Sequence, residues 1–539
     1  MPKAPDDLRL GELVATLALG QDGAFGQPLE SQLRACLIAT WLAESMELPA
    51  SERTSVHWVA QLRYLGCTGH AHEAHLLFGD EIDARARSLA YDAANPLEVL
   101  YDIATHVGDD LGPLGRTRAV LAALAGGRAA AELNFRTGCE VADVLARRLS
   151  MAPSVCESLA HTFERWNGRG FPAGVEGKAI PRPMRIVHLA QDMEVLLRLR
   201  GADAARQAAR KRSGGAYDPD LVEVYLGVAG DLEERLDGLD PWDAVLASEP
   251  DSHQRLRGSA LDEALVVVAD FADLKSPYTG GHSRGVAALA RAAAEHLGLP
   301  PAEITAVQRA GWVHELGRLT VPNSIWDKPG PLTRAEIDRV QLHPVRTEQM
   351  LRRSPALAAL TPIAASAHER LDGSGYSKGL TAPALPIPAR VIAAADCYHA
   401  MTEDRAHRPA LTGDAAAGEV RSIARRGLID PDGAEAVLVA AGHRRRRRRQ
   451  YPGGLTRREV EVLRLAAQGL TTRQIAQRLV ITAKTADHHI QHIYAKIGVS
   501  TRGAAALFAS EHDLVRPLGE ASTPGEGGQP AKPYPSSPS

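Results

Sequence analysis

The sequence predicts an all-α protein: two tandem helical domains of related sequence, then a four-helix helix-turn-helix domain and a disordered tail. Three observations predict it. The first is an internal repeat. Residues 367–380 (Ala-His-Glu-Arg-Leu-Asp-Gly-Ser-Gly-Tyr-Ser-Lys-Gly-Leu) are nearly restated in residues 163–175 (Phe-Glu-Arg-Trp-Asn-Gly-Arg-Gly-Phe-Pro-Ala-Gly-Val). Each copy is followed by a Pro-bracketed segment and an apolar run, residues 180–186 and 387–392. A shared pattern this long marks a duplicated domain. The second is apolar residues recurring at three- and four-residue spacing, with only 4% aromatics, so the cores are built of Ala, Leu and Val. The third is a C-terminal run in which capping pairs and tight turns delimit short amphipathic helices.

A chain of 539 residues holds about three or four domains. With 45% apolar and 24% charged residues it has the composition of a soluble globular protein. The formal charge of −3 hides an asymmetry. Residues 444–516 carry 15 Lys and Arg against 5 Asp and Glu, a net of +10, so the remainder carries −13. A basic C-terminal module on an acidic body points to a polyanion partner for that module alone. The five cysteines are scattered, odd in number and without a CxxC pair, which fits a reducing compartment. The first residues lack a basic and apolar leader, and no uncharged apolar stretch is long enough to cross a bilayer. The expectation is a soluble cytoplasmic protein with no membrane partner.

In the first repeat, Leu33, Leu37, Ile38, Trp41, Leu42 and Met46 form one buried helical stripe. A second helix runs from Pro49 through Val56, Val59 and Leu62 to Leu65-Gly66, with Gly66 expected as a C-terminal cap. The second repeat does the same: Leu299-Pro300 matches Leu48-Pro49, and Leu316-Gly317 falls on Leu65-Gly66 without a gap. The run Cys67, His70, His72, His75 has spacings that can bind zinc. No second ligand pair stands at a recognisable distance, so it reads as a polar loop. Each repeat closes on a glycine followed by an Asp-Pro-Asp helix start, after Gly214-Gly215 and after Gly427. The first domain is expected over 28–236, a connector over 237–257, and the second domain over 258–442.

The second repeat places chemistry on this frame. His282 opens a helix after Thr279-Gly280-Gly281, and His314-Glu315 sits late on the next helix. His343-Pro344 begins another, His368 precedes the glycine turn, and Asp396 follows the apolar run 391–395. Imidazoles and carboxylates on separate helices, aimed inward, suit a first-row divalent metal. A metal pair in such a site lowers the pKa of a bridging water and clamps a phosphodiester in line.

This arrangement resembles the HD superfamily of metal-dependent phosphohydrolases and, within it, the HD-GYP family, all-helical proteins many of which hydrolyse cyclic di-GMP. The resemblance covers residues 261–442 and is most specific at His368-Glu369-Arg370-Leu371-Asp372-Gly373-Ser374-Gly375-Tyr376. It implies a divalent metal, iron or manganese, held by His282, His314, Glu315, His343, His368 and Asp396. It implies a catalytic position at Arg318, where the family has lysine. The chain departs from the pattern in four places. The family's His-Asp is His314-Glu315, whose extra methylene moves the carboxylate oxygens by ~1.5 Å. The paired His-His is Ala367-His368, Gly-Tyr-Pro is Gly375-Tyr376-Ser377, and Arg318 keeps the charge but cannot donate a proton as an ammonium does. In the first repeat the counterparts of His282, His314, Glu315, His368 and Asp396 are Ser31, Arg63, Tyr64, Phe163 and Gln191. That copy is degenerate and is kept for sensing, dimerisation or contact with its sibling.

Residues 443–454 form an Arg-rich linker, with Arg444 to Arg449 either a solvated spacer or an arm on phosphates. Over 455–516, Thr456 caps a first helix with Glu459 as its capping-box partner, and Val460, Leu463, Leu465 and Ala466 supply the buried side. A short helix follows over about 472–479, then a turn at Val480-Ile481 and a third helix from Thr482 to Gly498 with Ala486, Ile490, Ile493 and Ile497 inward. Two helices joined by a tight turn, the second exposing small polar and basic groups, make a helix-turn-helix. The segment closely resembles the LuxR-type DNA-binding domain, through Leu455-Thr456-x-Arg-Glu459, 469–476 (Gly-Leu-Thr-Thr-Arg-Gln-Ile-Ala) and 485–489 (Thr-Ala-Asp-His-His). The resemblance implies a four-helix module that binds double-stranded DNA as a dimer, reading bases with Asp487, His488 and Gln491 and reaching phosphate or groove edge with Lys484 and Thr485. Gln491 can pair bidentately with adenine and Asp487 can accept from cytosine. The Pro-, Gly- and Ser-rich segment 517–539 is expected to be disordered.

Two functions follow. One is a cytoplasmic, homodimeric transcription regulator whose HD-GYP-like domains sense a ligand such as a cyclic dinucleotide or mediate dimerisation. The other is a metal-dependent phosphodiesterase for cyclic di-GMP or another nucleotide, coupled to DNA binding.

Overall fold

The computed structural model describes residues 6–92, 95–108, 112–250, 254–376, 378–442 and 451–515. The arginine run 444–449, Ser377 and the tail 517–539 lie outside the described residues. Among those described, the chain is helical apart from two three-residue strands. The first half contributes α1 (Leu10–Ala24), α2 (Ser31–Ser45), α3 (Ala50–Leu62), the long α4 (Pro113–Arg148) and α5 (Arg182–Arg200). The second half contributes their counterparts α6 (Gly258–Asp273), α7 (His282–His296), α8 (Pro301–Val313), α9 (His343–Leu351) and α10 (Ile387–Met401).

The duplication extends to individual hydrogen bonds. Phe171 N–H donates to Phe163 O at 3.0 Å, and Tyr376 N–H to His368 O at 3.2 Å. The buried Glu164 carboxylate accepts the backbone N–H groups of Ala173, Gly174 and Val175, as Glu369 accepts those of Lys378 and Leu380. A Cβ on Gly66 would strike the Gly138 carbonyl and lie 2.6 Å from Ala142 N; on Gly317 it would strike the His343 carbonyl and lie 2.5 Å from Thr347 N. Gly138 is therefore the first-half counterpart of His343, a match the sequence alone did not supply. Gly66 is also not the left-handed helix cap the sequence suggests, since its φ is −87°. It is glycine because another backbone passes where a side chain would be.

The halves meet through a strand pair and a reciprocal exchange of contacts. β1 (Asp7–Arg9) pairs antiparallel with β2 (Arg255–Arg257), placing Leu8 opposite Leu256, each two residues before its half's first helix. The exchange is reciprocal: α1 packs on the 316–320 turn of the second half, and α6 on the 67–70 turn of the first. Close approach needs small residues on α1. A Cβ at Gly20 would lie 3.0 Å from Leu319 and Phe271 side-chain carbons, and one at Gly23 2.7 Å from Thr320 Cγ2.

Several elements were not foreseen. Helix α1 is buried nearly all round, so it shows no amphipathic period to detect. The stretch read as connector holds a helix, Pro241–Ala247, whose Trp242 and Val245 are buried, and strand β2. Gly138 follows Gly66 by 72 positions but His343 follows Gly317 by 26, so the first half carries 46 extra residues. Part of that insertion, the helix Glu81–Ser88, joins the halves. Glu81 takes the fully buried Lys275 ammonium at 2.6 Å and the Asn323 N–H, while Asn323 Nδ2 donates to Asp327 at 2.8 Å. Asp327 also meets His72 Nδ1 at 2.8 Å.

The C-terminal module has its own core and four helices, α11 (Arg457–Ala467), α12 (Thr472–Leu479), α13 (Ala483–Ile497) and α14 (Arg502–Glu511). Thr456 and Glu459 form the expected capping box, and Thr471 with Gln474 forms a second. Val462 is fully buried, whereas Leu465, expected inward, is only partly so. Helix α14 packs against α4 of the first half.

Candidate metal centre and nucleic-acid interface

Helix ends and turns deliver the polar side chains to one buried point. His282 is the first residue of α7, behind the left-handed Gly281. His314 caps the C-terminus of α8, with Glu315 one residue on, and His343 starts α9. Asp396 lies within α10, and His368 enters the glycine turn held by Glu369. All six residues singled out in the sequence come together in two groups, His282–His314–Glu315–Asp396 and Glu315–His343–His368, with Glu315 shared. Glu315 oxygens lie 3.5 Å from His343 Nε2, 3.8 Å from His282 and His314 Nε2, and 3.9 Å from His368 Nε2. Asp396 lies 3.2 Å from His282 Nε2 and 3.3 Å from His368 Nδ1.

The donor set fits a cation. His314 Nε2, Glu315 Oε2, His343 Nε2 and His368 Nε2 are buried and make no hydrogen bond. Each such atom costs about 1–3 kcal/mol if left so, and divalent cations in the two groups would satisfy them. The tautomers are set as well. His314 Nδ1–H donates to Gly311 O at 2.9 Å and His343 Nδ1–H to Val340 O at 2.7 Å, which leaves both Nε2 lone pairs facing inward. Burial pushes His343 down to about 3 and lowers His314. Burial pushes the Glu315 carboxyl up, but His343, Arg318, His314 and His368 outweigh it and hold it below the usual carboxylate range. Burial likewise opposes Asp396, and His368 and His282 hold it well below that range. Neutral His314 and His343 beside ionised Glu315 and Asp396 match the protonation state a divalent cation requires.

Arg318 is buried 3.6 Å from Glu315 Oε1, with its guanidinium 3.8 Å from the centre of the Trp326 ring. Ala367 is fully buried and offers only a methyl group where the resemblance has a second imidazole. The sequence reading missed His399, Glu403 and Arg405. Glu403 Oε2 lies 2.8 Å from His282 Nδ1 and 2.8 Å from Arg405 Nη2, and its Oε1 3.1 Å from His399 Nδ1. Their spacing was a partial signal: Asp396 and His399 lie three residues apart on α10, and Glu403 follows two residues after its end. Burial opposes charge on His282, but Glu403 and Asp396 raise it to about 10.

The matching point in the first half is filled with rings. Tyr64 stacks on Phe25 at 4.0 Å and Phe163 on Phe135 at 4.2 Å. The histidines of the 67–75 run do not join a metal-capable group among the described residues. His72 is tied to Asp327, and His75 to Gly79 O at 2.7 Å.

On the C-terminal module, Lys484, Thr485, Asp487, His488 and Gln491 are all exposed along α13. Thr485 Oγ1 is engaged at 2.8 Å by the capping Thr482. The module is seated by its other side. Ser510 Oγ lies 3.4 Å from the buried Asp270, Arg148 pairs with Glu511 at 2.9 Å, and Arg284 Nη1 reaches Glu511 O at 3.5 Å. A Cβ on Gly281, the residue before His282, would lie 3.2 Å from Ser510 Oγ. Ser500 also hydrogen-bonds Glu140 of α4.

The family described as HD domain matches residues 137–221 and 266–433, and the luxR family of bacterial regulatory proteins matches 454–509. The chain is 30% identical over 427 residues to the 3'3'-cGAMP-specific phosphodiesterase 3 of Vibrio cholerae serotype O1, spanning 77% of this chain and 91% of that protein. It is 34% identical over 199 residues to the cyclic di-GMP phosphodiesterase response regulator RpfG of Xanthomonas campestris, spanning 36% of this chain and 50% of that one. A crystal structure of a cyclic GMP-AMP-specific phosphodiesterase of V. cholerae superposes with a TM-score of 0.56 at 28% identity, covering 81% of this chain and 98% of that one. Among the described residues no helix is long and apolar enough to cross a membrane.

Proposed function

Since the chain belongs to the HD domain family and ends in a luxR-family module, we propose that it is a DNA-binding transcription regulator whose second half senses a cyclic dinucleotide through a divalent metal centre. The observation that carries this reading is the seat of the module. Helix α14 rests on the loop that leads into His282, while the face of α13 that would read DNA points to solvent. A ligand that pins His282 therefore acts on backbone the module touches, without having to cover or uncover the reading face. Iron or manganese would be held by His282, His314, Glu315, His343, His368 and Asp396, with Glu315 common to both groups. When bound it would supply a cationic seat for phosphate oxygens and activate water. Arg318 would face the same phosphate as a fixed positive charge, oriented by Trp326. The regulator would work as a homodimer, because helix-turn-helix modules read paired half-sites.

The test is DNA affinity for genomic fragments selected by footprinting, with protein stripped of metal, loaded with manganese, and loaded with manganese plus 3'3'-cGAMP or cyclic di-GMP. The expected result is a shift of about 5–150-fold between states, the usual range of coupling between two sites. Identical affinity in all states would overturn the sensing reading.

A second reading is that the centre hydrolyses the dinucleotide. Two observations favour it: the V. cholerae relative matched over most of both chains is a phosphodiesterase, and the cluster keeps six metal-capable side chains. Product formation with manganese or iron supports it. Dinucleotide binding without product supports sensing alone.

A further inference from the structure

The three histidine donors whose Nε2 faces Glu315 from helix termini are not held in the same way. His314 and His343 each give Nδ1–H to the carbonyl three residues back, Gly311 O and Val340 O. That lock keeps the proton off Nε2 and fixes the ring. His282 does not use it: the carbonyl three residues back, of Thr279, accepts the His282 main-chain N–H at 2.9 Å. Its Nδ1 faces the Glu403 carboxylate instead, at 2.8 Å, from 121 residues away.

We infer that Glu403 is a positioning residue for the metal centre: it holds the His282 proton on Nδ1 and so presents Nε2 to the cation. The inference rests on the reading of this cluster as a metal seat. A carboxylate is a stronger acceptor than a carbonyl, so the same contact also makes the Nε2 lone pair more basic. Glu403 is itself fixed from two further sides. Arg405 Nη2 donates to Oε2 at 2.8 Å and His399 Nδ1 lies 3.1 Å from Oε1. His282, His399 and Glu403 are also close enough to hold an ion among themselves. The Arg405 guanidinium decides against that use, since it lies on the same Glu403 oxygen and 3.5 Å from His282 Nδ1. A second cation would meet a fixed positive charge. One face of His282 is thus built to orient and the other to bind. The first half shows that the contact is not part of the shared frame: at the positions of His399 and Glu403 it has Glu194 and Arg198, which pair with each other at 3.1 Å.

The experiment is manganese titration of the full-length protein by calorimetry, for the wild type, Glu403→Gln, Glu403→Ala and Glu403→Asp, with thermal melts to confirm folding. Groups that orient a metal-bound histidine contribute about 10–100-fold to affinity. The Ala and Gln variants are expected to weaken binding by that factor with unchanged stoichiometry, and Asp, which keeps the charge, to recover part of the loss. Wild-type affinity in folded Gln and Ala variants would overturn the inference while leaving the metal seat standing. A wild type that takes up no manganese would overturn both. If the Gln and Ala variants do not fold, His399→Asn provides the reading, because it loosens Glu403 without removing it. A few-fold weaker binding supports the inference, and no change overturns it.

Discussion

The two halves share a backbone and differ in what they do with its centre. Each has a glycine pressed against backbone of a later helix, Gly66 on Gly138 within α4 and Gly317 on His343 at the start of α9. Each has a glutamate threading the glycine turn, Glu164 and Glu369. Yet one centre is closed by stacked rings of Phe163, Phe135, Tyr64 and Phe25, and the other holds imidazoles around a carboxylate. The lesson is that frame and chemistry are separable. The turn geometry is satisfied by backbone hydrogen bonds that any side chain at the centre leaves intact, so the centre can be emptied of ligands without loss of the fold. The worn half also meets the other directly: its α1 packs on the 316–320 turn that follows His314 and Glu315.

The sharpest way to break this comparison is to truncate one centre position in each half, a proposed ligand in one and a ligand's counterpart in the other. His343→Ala is expected to lower manganese affinity by roughly 100-fold or more, beyond the ~10–100-fold typical of groups that only orient a ligand. Arg63→Ala, at the worn counterpart of His314, is expected to leave manganese affinity within about twofold. Calorimetric titration reads both, and equal losses would mean the halves are not divided as described.

The frame itself should respond symmetrically. Gly66→Ala and Gly317→Ala each drive a methyl group into backbone, 2.6 Å and 2.5 Å from the facing amide nitrogens. Each is expected to cost about 2–3 kcal/mol, the upper part of the range for overpacking, because backbone cannot rotate away. Chemical denaturation should show two similar losses. A large loss at Gly317 with none at Gly66 would mean the first half no longer needs the shared geometry.

How far this was legible in the sequence depends on the reach of each interaction. The caps were legible because Thr456 and Glu459, or Thr482 and Thr485, are three residues apart and carry their own signature. The six residues that meet around Glu315 were legible because the runs that carry them resemble a known family's motifs. Helix α1 was not, since a helix buried on all sides has no polar face to reveal its period. The Lys275–Glu81 joint and the His282–Glu403 contact span 194 and 121 residues, and no local pattern encodes a pairing at that separation. Gly138 was hidden by the 46-residue insertion, which shifts the register between the halves.

A smaller effect should cross from the worn half to the other. Gly20 lies on α1, and a Cβ there would come 3.0 Å from Leu319 Cδ1 and Phe271 Cε1. Gly20→Val is expected to destabilise by about 1–3 kcal/mol and, by shifting the 316–320 turn, to weaken manganese binding several-fold although no ligand has changed. A denaturation curve beside a manganese titration of the same variant separates the two effects. Lost stability with unchanged affinity would mean that α1 supports the fold and not the site.

The smallest effect tests whether the reading face is independent of both halves. Lys484 is exposed on α13, away from the α14 seat. Its ammonium can neutralise one phosphate, and each phosphate contact contributes about 0.9 to the slope of log affinity against log salt. Lys484→Ala should therefore weaken binding to all DNA sequences alike and flatten that slope by about one unit. Manganese affinity should stay at the wild-type value, because the lysine touches neither the ligand loop nor the helix seated on it. Fluorescence anisotropy across a salt series gives the slope, and the same protein stock gives the titration. A change confined to one DNA sequence would place Lys484 on a base edge rather than a phosphate. A changed manganese affinity would show that the module reports back to the metal centre through more than its seat.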